Sequence, residues 1–196
     1  MSENKTKKVK VAWGITGAGD KIAEIIETMK DLKKQSEDLV RIDVYLSKAA
    51  ETMLKFYRLD EDLRKSFDKV FVESNSNSPF LAGMMQSHKY QFLLIFPASS
   101  NTVAKIVNSI SDSLITNSAL MSLKAFVPVW IMPVDFKESI IYTKLPNGED
   151  MKIRVRKEEA DQVRKLQTME DVQVFENPAN VREGFLKWLK TIKGNS

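Results

Sequence analysis

The chain has 196 residues, 30 Lys and Arg against 26 Asp and Glu, one His and no Cys. Without thiols there is no disulfide framework, no Cys-ligated zinc or iron–sulfur cluster, no thiolate haem ligand and no Cys nucleophile, and His88 alone cannot build a two- or three-His metal site within one subunit. An apolar fraction of 43% marks a globular chain rather than a disordered one, and the net charge of +4 is interleaved along the sequence rather than blocked, which leaves no footprint for nucleic acid.

Residues 1–8 read as a polar leader. Its lysines, with Lys10 just beyond, are expected to be solvated, a phosphate-binding arm being the alternative. Val9 to Ile15 is a short apolar run ending at Thr16-Gly-Ala-Gly-Asp20, after which Ile22, Ile25, Ile26, Met29 and Leu32 recur at helical spacing. A second strand is expected over Leu39 to Leu46, a helix from Lys48 to Tyr57 and a third strand over Lys69 to Glu73, before a polar loop at Ser74 to Pro79. Gln91 to Phe96 is apolar enough for a strand buried on both faces, stopped by Pro97-Ala-Ser-Ser-Asn-Thr102. Val103, Ile106, Val107, Ile110 and Leu114 then form one stripe, which predicts a continuous helix, and Phe126 to Met132 is another buried strand.

Ser139 to Leu145 and Asp150 to Arg156 break the alternation. They flank Pro146-Asn147-Gly148 and read as a β-hairpin excursion over 138–156, with Met151, Ile153 and Val155 on one face and Lys152, Arg154 and Arg156 on the other. The apolar face is expected to extend a sheet, or to cover a ligand or a second subunit. A helix (Lys157 to Thr168), a short strand (Val172 to Phe175) and a closing helix (Pro178 to Ile192) complete the chain. Strands alternating with helices predict an α/β, Rossmann-like doubly wound parallel sheet carrying a C-terminal hairpin, in a single domain over 1–196. No run approaches 18 apolar residues, so a spanning helix is excluded and the cytoplasm is the plain reading.

In such a sheet, ligands bind beyond the carboxyl ends of the strands, at helix N-termini. Three of those corners are small and polar: Thr16-Gly17-Ala18-Gly19, Ser47-Lys48 and Ala98-Ser99-Ser100-Asn101-Thr102. Small residues let a ligand approach the backbone, while hydroxyls and free helix amides bind an anion. The first corner is neither a Walker loop nor GxGxxG. One residue suffices to cap a helix, so four hydroxyl and amide residues in a row exceed what a cap requires. Asp20 and Asp135 fall at strand ends, as caps or solvated carboxylates, with ligand contact the alternative; His88 reads as a loop residue, with a proton relay the alternative.

Pro97-Ala-Ser-Ser-Asn-Thr-Val-Ala-Lys-Ile106, continuing to Ile110-Ser-Asp112, resembles the FMN-binding segment of the flavoprotein superfamily, which includes phosphopantothenoylcysteine decarboxylases and flavin prenyltransferases. Ile15-Thr-Gly-Ala-Gly19 and Leu46-Ser-Lys-Ala49 resemble its other two flavin-contacting segments, in the same order. Trp13 to Asp20 and Leu145-Pro-Asn-Gly148 look most like the archaeoflavoproteins and acceptor-type dihydromethanopterin reductases. The resemblance implies noncovalent FMN held by Thr16, Gly17, Ala18, Gly19, Ser47, Ser99, Ser100, Asn101 and Thr102. It also implies an FMN-dependent oxidoreductase or an electron-transfer flavoprotein fed by a ferredoxin-like donor, with a dihydropterin such as dihydromethanopterin as one acceptor, and assembly as trimers or multiples of trimers. The decarboxylases' upstream His and flap Cys have no counterpart, and Val134 stands where prenyltransferases usually carry Arg, so cysteine decarboxylation and prenyl transfer are the weaker expectations.

Overall fold

A computed structural model describes residues 8–145 and 147–194; of the expected leader only Lys8 falls among them, and Pro146 of the hairpin turn lies outside. The chain opens with β1 (Val9–Ile15), α1 (Ile22–Ser36) and β2 (Val40–Leu46), followed by α2 (Lys48–Phe56), α3 (Asp60–Ser66) and β3 (Val70–Val72). Next come α4 (Leu81–Gln86), β4 (Leu93–Ala98), α5 (Ser100–Val107), α6 (Leu114–Lys124) and β5 (Val129–Pro133). The hairpin strands β6 (Ser139–Lys144) and β7 (Asp150–Val155) precede α7 (Lys157–Leu166), β8 (Val172–Val174) and α8 (Pro178–Gly194).

Six strands form one parallel sheet in the order β3-β2-β1-β4-β5-β8. This is the doubly wound Rossmann order, with β8 as the sixth sheet strand. Helices α1, α2, α3 and α8 bury their apolar stripes on one face of the sheet. Helices α4, α5, α6 and α7 pack on the other. The direction of winding therefore reverses between β1 and β4, and that crevice is where such sheets bind ligands. The α1 stripe of Ile22, Ile25, Ile26, Met29 and Leu32 is at most 2% exposed. Each such side chain contributes roughly 1.5–3 kcal/mol of burial. On β1, Trp13 and Ile15 join that core, while Gly14 lies against α6, where a Cβ would stand 2.9 Å from Ile115 Cδ1.

Two expectations are corrected. The stripe from Val103 to Leu114 is two helices: α5 ends at Val107, Ser109 takes a left-handed backbone (φ 57°), and Ile110 is 45% exposed. Ser113 then starts α6 with a reciprocal capping box to Thr116. The hydrophobic period ran on across a break set by cap chemistry. Second, β4 does not stop at Phe96 but continues through Pro97 to Ala98, with a register irregularity between Ile95 and Ala98. Proline has no amide to leave unpaired there, and its carbonyl accepts the Thr16 amide at 3.3 Å.

A buried polar network lies on the α4–α6 side. The Tyr90 hydroxyl and the Arg41 guanidinium both donate to Asp43 Oδ2, at 2.8 and 2.7 Å, and the Tyr45 and Tyr90 hydroxyls are 2.8 Å apart. Burial pushes the Tyr45 phenol up to about 12 and raises Tyr90 as well, with Tyr45 and Asp43 adding to the effect on Tyr90. The unfolded phenols lose their protons first. Their contribution to stability is therefore full below an ordinary tyrosine pKa of about 10 and declines as pH rises towards 12. Denaturant unfolding at pH 9 and pH 11 should show that loss, and Tyr45→Phe should reduce it; an unchanged pH slope in the variant contradicts the assignment.

Candidate flavin site

Thr16, at the end of β1, is 2% exposed and ties two of the three corners together. Its hydroxyl donates to the Pro97 carbonyl at 2.9 Å and accepts the Ser99 amide at 2.8 Å. With its own amide also committed, Thr16 acts as the clamp of the crevice rather than as a donor into it. The Ala18 amide is likewise used, by the Thr16 carbonyl at 2.8 Å. The amides of Gly17 and Gly19 have no acceptor among the described residues, and they are the loop's open donors.

Gly17 is required by packing, and Gly19 lies against the end of the Tyr57 side chain. A Cβ on Gly17 would stand 2.7 Å from the Ala49 Cβ, and one on Gly19 would stand 2.7 Å from the Tyr57 hydroxyl. The loop is pressed onto α2 at Ala49, and only glycine permits that approach at position 17.

At the third corner, the Ser99 side chain caps α5 through the Thr102 amide and lies 3.0 Å from the Thr102 hydroxyl. Ser100 and Asn101 therefore keep their first-turn amides as donors at a helix N-terminus. The Ser100 hydroxyl donates to the Asp135 carboxylate, which follows β5. Asn101 is exposed and also faces a groove shared with Arg156 and Gln162.

At the second corner, Ser47 caps α2 by accepting the Ala50 amide at 3.0 Å. Sequence reasoning missed its neighbour Glu73, just beyond β3. That carboxylate accepts the Lys48 amide at 3.2 Å and the Leu114 amide at 2.8 Å, and so joins the N-termini of α2 and α6. A carboxylate is the favourable charge at both ends. The anion-ready donors accordingly concentrate at α5 and the glycine loop, with Ser47 retaining its hydroxyl proton.

The hairpin lies over this crevice. Ala18, Gly19, Asp20, Tyr57, Ser99, Ser100, Val134 and Asp135 share a cavity of about 250 Å³ with Ile141, Met151 and Ile153. Ile141 pairs with Ile153 across the hairpin, so one apolar face points inward. Ile140 and Tyr142 lie on the opposite face with Arg154 and Lys152, and Lys152 sits 5.7 Å over the Tyr142 ring. Tyr57 was not singled out from the sequence; it reaches the site by packing against Gly19. His88 is exposed at the amino-terminal end of the strands, beside Lys8 and Lys10, and takes no part in the crevice at their carboxyl ends. Among the described residues there is no metal-binding group of three or more acidic or His side chains, and no helix is long and apolar enough to cross a membrane.

The whole pattern matches a known protein family. The Flavoprotein family model covers residues 1–184, and the chain belongs to that family. An uncharacterised protein of Methanocaldococcus jannaschii is 40% identical over 185 residues, covering 94% of this chain and 98% of the relative. A dihydromethanopterin reductase (acceptor) of the same organism is 31% identical, over 90% of this chain and 96% of its own. The crystal structure of Burkholderia xenovorans DmrB in complex with FMN, described as a cubic protein cage for redox transfer, superposes with a TM-score of 0.81. It is 31% identical and covers 96% of this chain and 99% of that one.

Proposed function

We propose that this protein is an FMN-dependent oxidoreductase that reduces dihydromethanopterin or a related pterin, drawing electrons from a ferredoxin-like donor, as a cytoplasmic homotrimer or multiple of trimers. The observation that carries the reading is the clamped crevice at the switch point between β1 and β4, where open backbone donors and hydroxyls converge under an apolar hairpin. The similarity to an FMN-bound redox cage and to a dihydromethanopterin reductase supports it. Bound FMN supplies the hydride and electron chemistry, and the chain supplies position, electrostatics and exclusion of water.

The open amides of Gly17, Gly19, Ser100 and Asn101, with the hydroxyls of Ser47, Ser99 and Thr102, hold the cofactor. Thr16 fixes the separation of the first and third loops, and Ala18 would offer the cofactor a small apolar wall. The hairpin closes the crevice with Ile141, Met151 and Ile153. Prenyl transfer fits less well, because the described lining of the hairpin cavity holds two carboxylates and no cation to meet a prenyl phosphate.

Anaerobically reduced, FMN-loaded protein should be reoxidised by a dihydropterin; flavin that stays reduced contradicts the reading. With a ferredoxin as donor, the flavin reduction rate should fall steeply from low to physiological salt, since basic residues such as Lys152 and Arg154 steer an acidic partner. A flat salt profile removes the ferredoxin step.

A further inference from the structure

We infer that Asp20 and Asp135 hold down the reduction potential of the flavin, because both carboxylates line the cofactor's own cavity with no cation beside them. This rests on the FMN reading above and adds to it the residues that set how hard the cofactor is to reduce.

The cavity beneath the hairpin belongs to the cofactor loops, since Ala18 and Gly19 come from the first of them and Ser99 and Ser100 from the third. Asp20 ends the first loop and Asp135 follows β5, and the fold brings both into the same lining. Asp135 accepts the Ser100 hydroxyl, which ties its carboxylate to the start of α5. No Lys, Arg or His lies among the described lining residues. Lys137, two residues beyond Asp135, is paired with Glu176 at 2.9 Å, and Lys21, next to Asp20, is exposed outside the lining. The hydroxyls of Tyr57, Ser99 and Ser100 also face the cavity, but they are neutral and cancel no charge. The N-terminus of α5 supplies a positive end worth about half a charge, against two carboxylates.

The oxidised flavin ring is uncharged. Two electrons and one proton entering it leave one additional negative charge, which a second proton would neutralise. Carboxylates beside the ring oppose that charge. Val134, Ile141, Met151 and Ile153 line the same cavity, and apolar walls leave the repulsion less screened than it would be in water. The site therefore binds the oxidised ring more tightly than the reduced one, and by linkage the difference appears as a lower potential. A flavin that is hard to reduce is a strong reductant once it holds its electrons. The two carboxylates thus favour passing electrons onward and demand a strongly reducing donor.

The test is the midpoint potential of FMN bound to the full-length protein, read at neutral pH by equilibration with dyes of known potential. Wild-type protein should bind oxidised FMN at least tenfold more tightly than reduced FMN, which places the bound potential about 30 mV or more below that of free FMN. Asp20→Asn and Asp135→Asn should each raise the bound potential, and Asp135→Glu, which keeps the charge, should restore most of the wild-type value. A general loss of affinity affects both redox states and cancels in the potential, and the wild-type comparison requires no variant to fold. A wild-type potential at or above that of free FMN overturns the inference, and so do potentials that both Asn variants leave unchanged. In either case bound FMN still upholds the function proposed above, whereas a protein that takes up no FMN overturns both.

Discussion

Replacing Thr16 with valine, which keeps the shape and removes the hydroxyl, should cost about 2–3 kcal/mol of stability and weaken FMN binding at least tenfold. The hydroxyl makes two hydrogen bonds, to the Pro97 carbonyl and from the Ser99 amide. Losing it forfeits those bonds and leaves a part-buried amide without an acceptor, and the unpaired group is the larger cost. Thr16 is also the joint between the two loops that flank the switch point, so slack there moves the donors at Gly17 and at the start of α5 relative to one another. Thr16→Ser should recover most of both losses. Urea unfolding and an FMN titration of the three proteins check this; a valine variant with wild-type FMN affinity shows that the clamp does not position the site.

Replacing residues 140–154 by a short Gly-Ser link should leave FMN binding largely intact and lower pterin turnover about 100-fold. The hairpin contributes Ile141, Met151 and Ile153 to the cavity and nothing to the three cofactor loops. Its removal opens the ring to water and frees the substrate to adopt unproductive positions, and misplacement by about 1 Å can cost two orders of magnitude in rate. Val155 is buried and is therefore kept. Stopped-flow reoxidation of the reduced flavin separates turnover from binding. Unchanged turnover would mean that the hairpin, a separate two-stranded sheet, has no part in the chemistry.

The centre of the sheet was legible because β4 and β5 are buried throughout and read as apolar runs, whereas the edge strands β3 and β8 are short and only partly buried. Helix α6 was not. It has little amphipathic contrast, and Ser118 and Ser122 sit wholly buried within it, each hydroxyl bonded back to the carbonyl four residues earlier. Those polar letters hide a core helix from a pattern that equates polar with solvent. Helices α3 and α4 are short; α3 is highly charged and α4 lacks a side-chain cap. In the site, the Ser-Ser-Asn-Thr run was legible because it exceeds what a cap requires. Glu73 and Tyr57 were not, because their positions depend on contacts between segments 41 and 38 residues apart, at Leu114 and Gly19 respectively. Asp20 and Asp135 looked like two unrelated strand-end carboxylates until the fold lined one cavity with both.

The most direct test of the account is a titration of the purified, cofactor-free protein with FMN, followed by flavin absorbance and by quenching of flavin fluorescence. The account predicts saturable uptake of one FMN per chain with the spectrum of a bound oxidised flavin, weakened in Thr16→Val. A protein that takes up no FMN contradicts it.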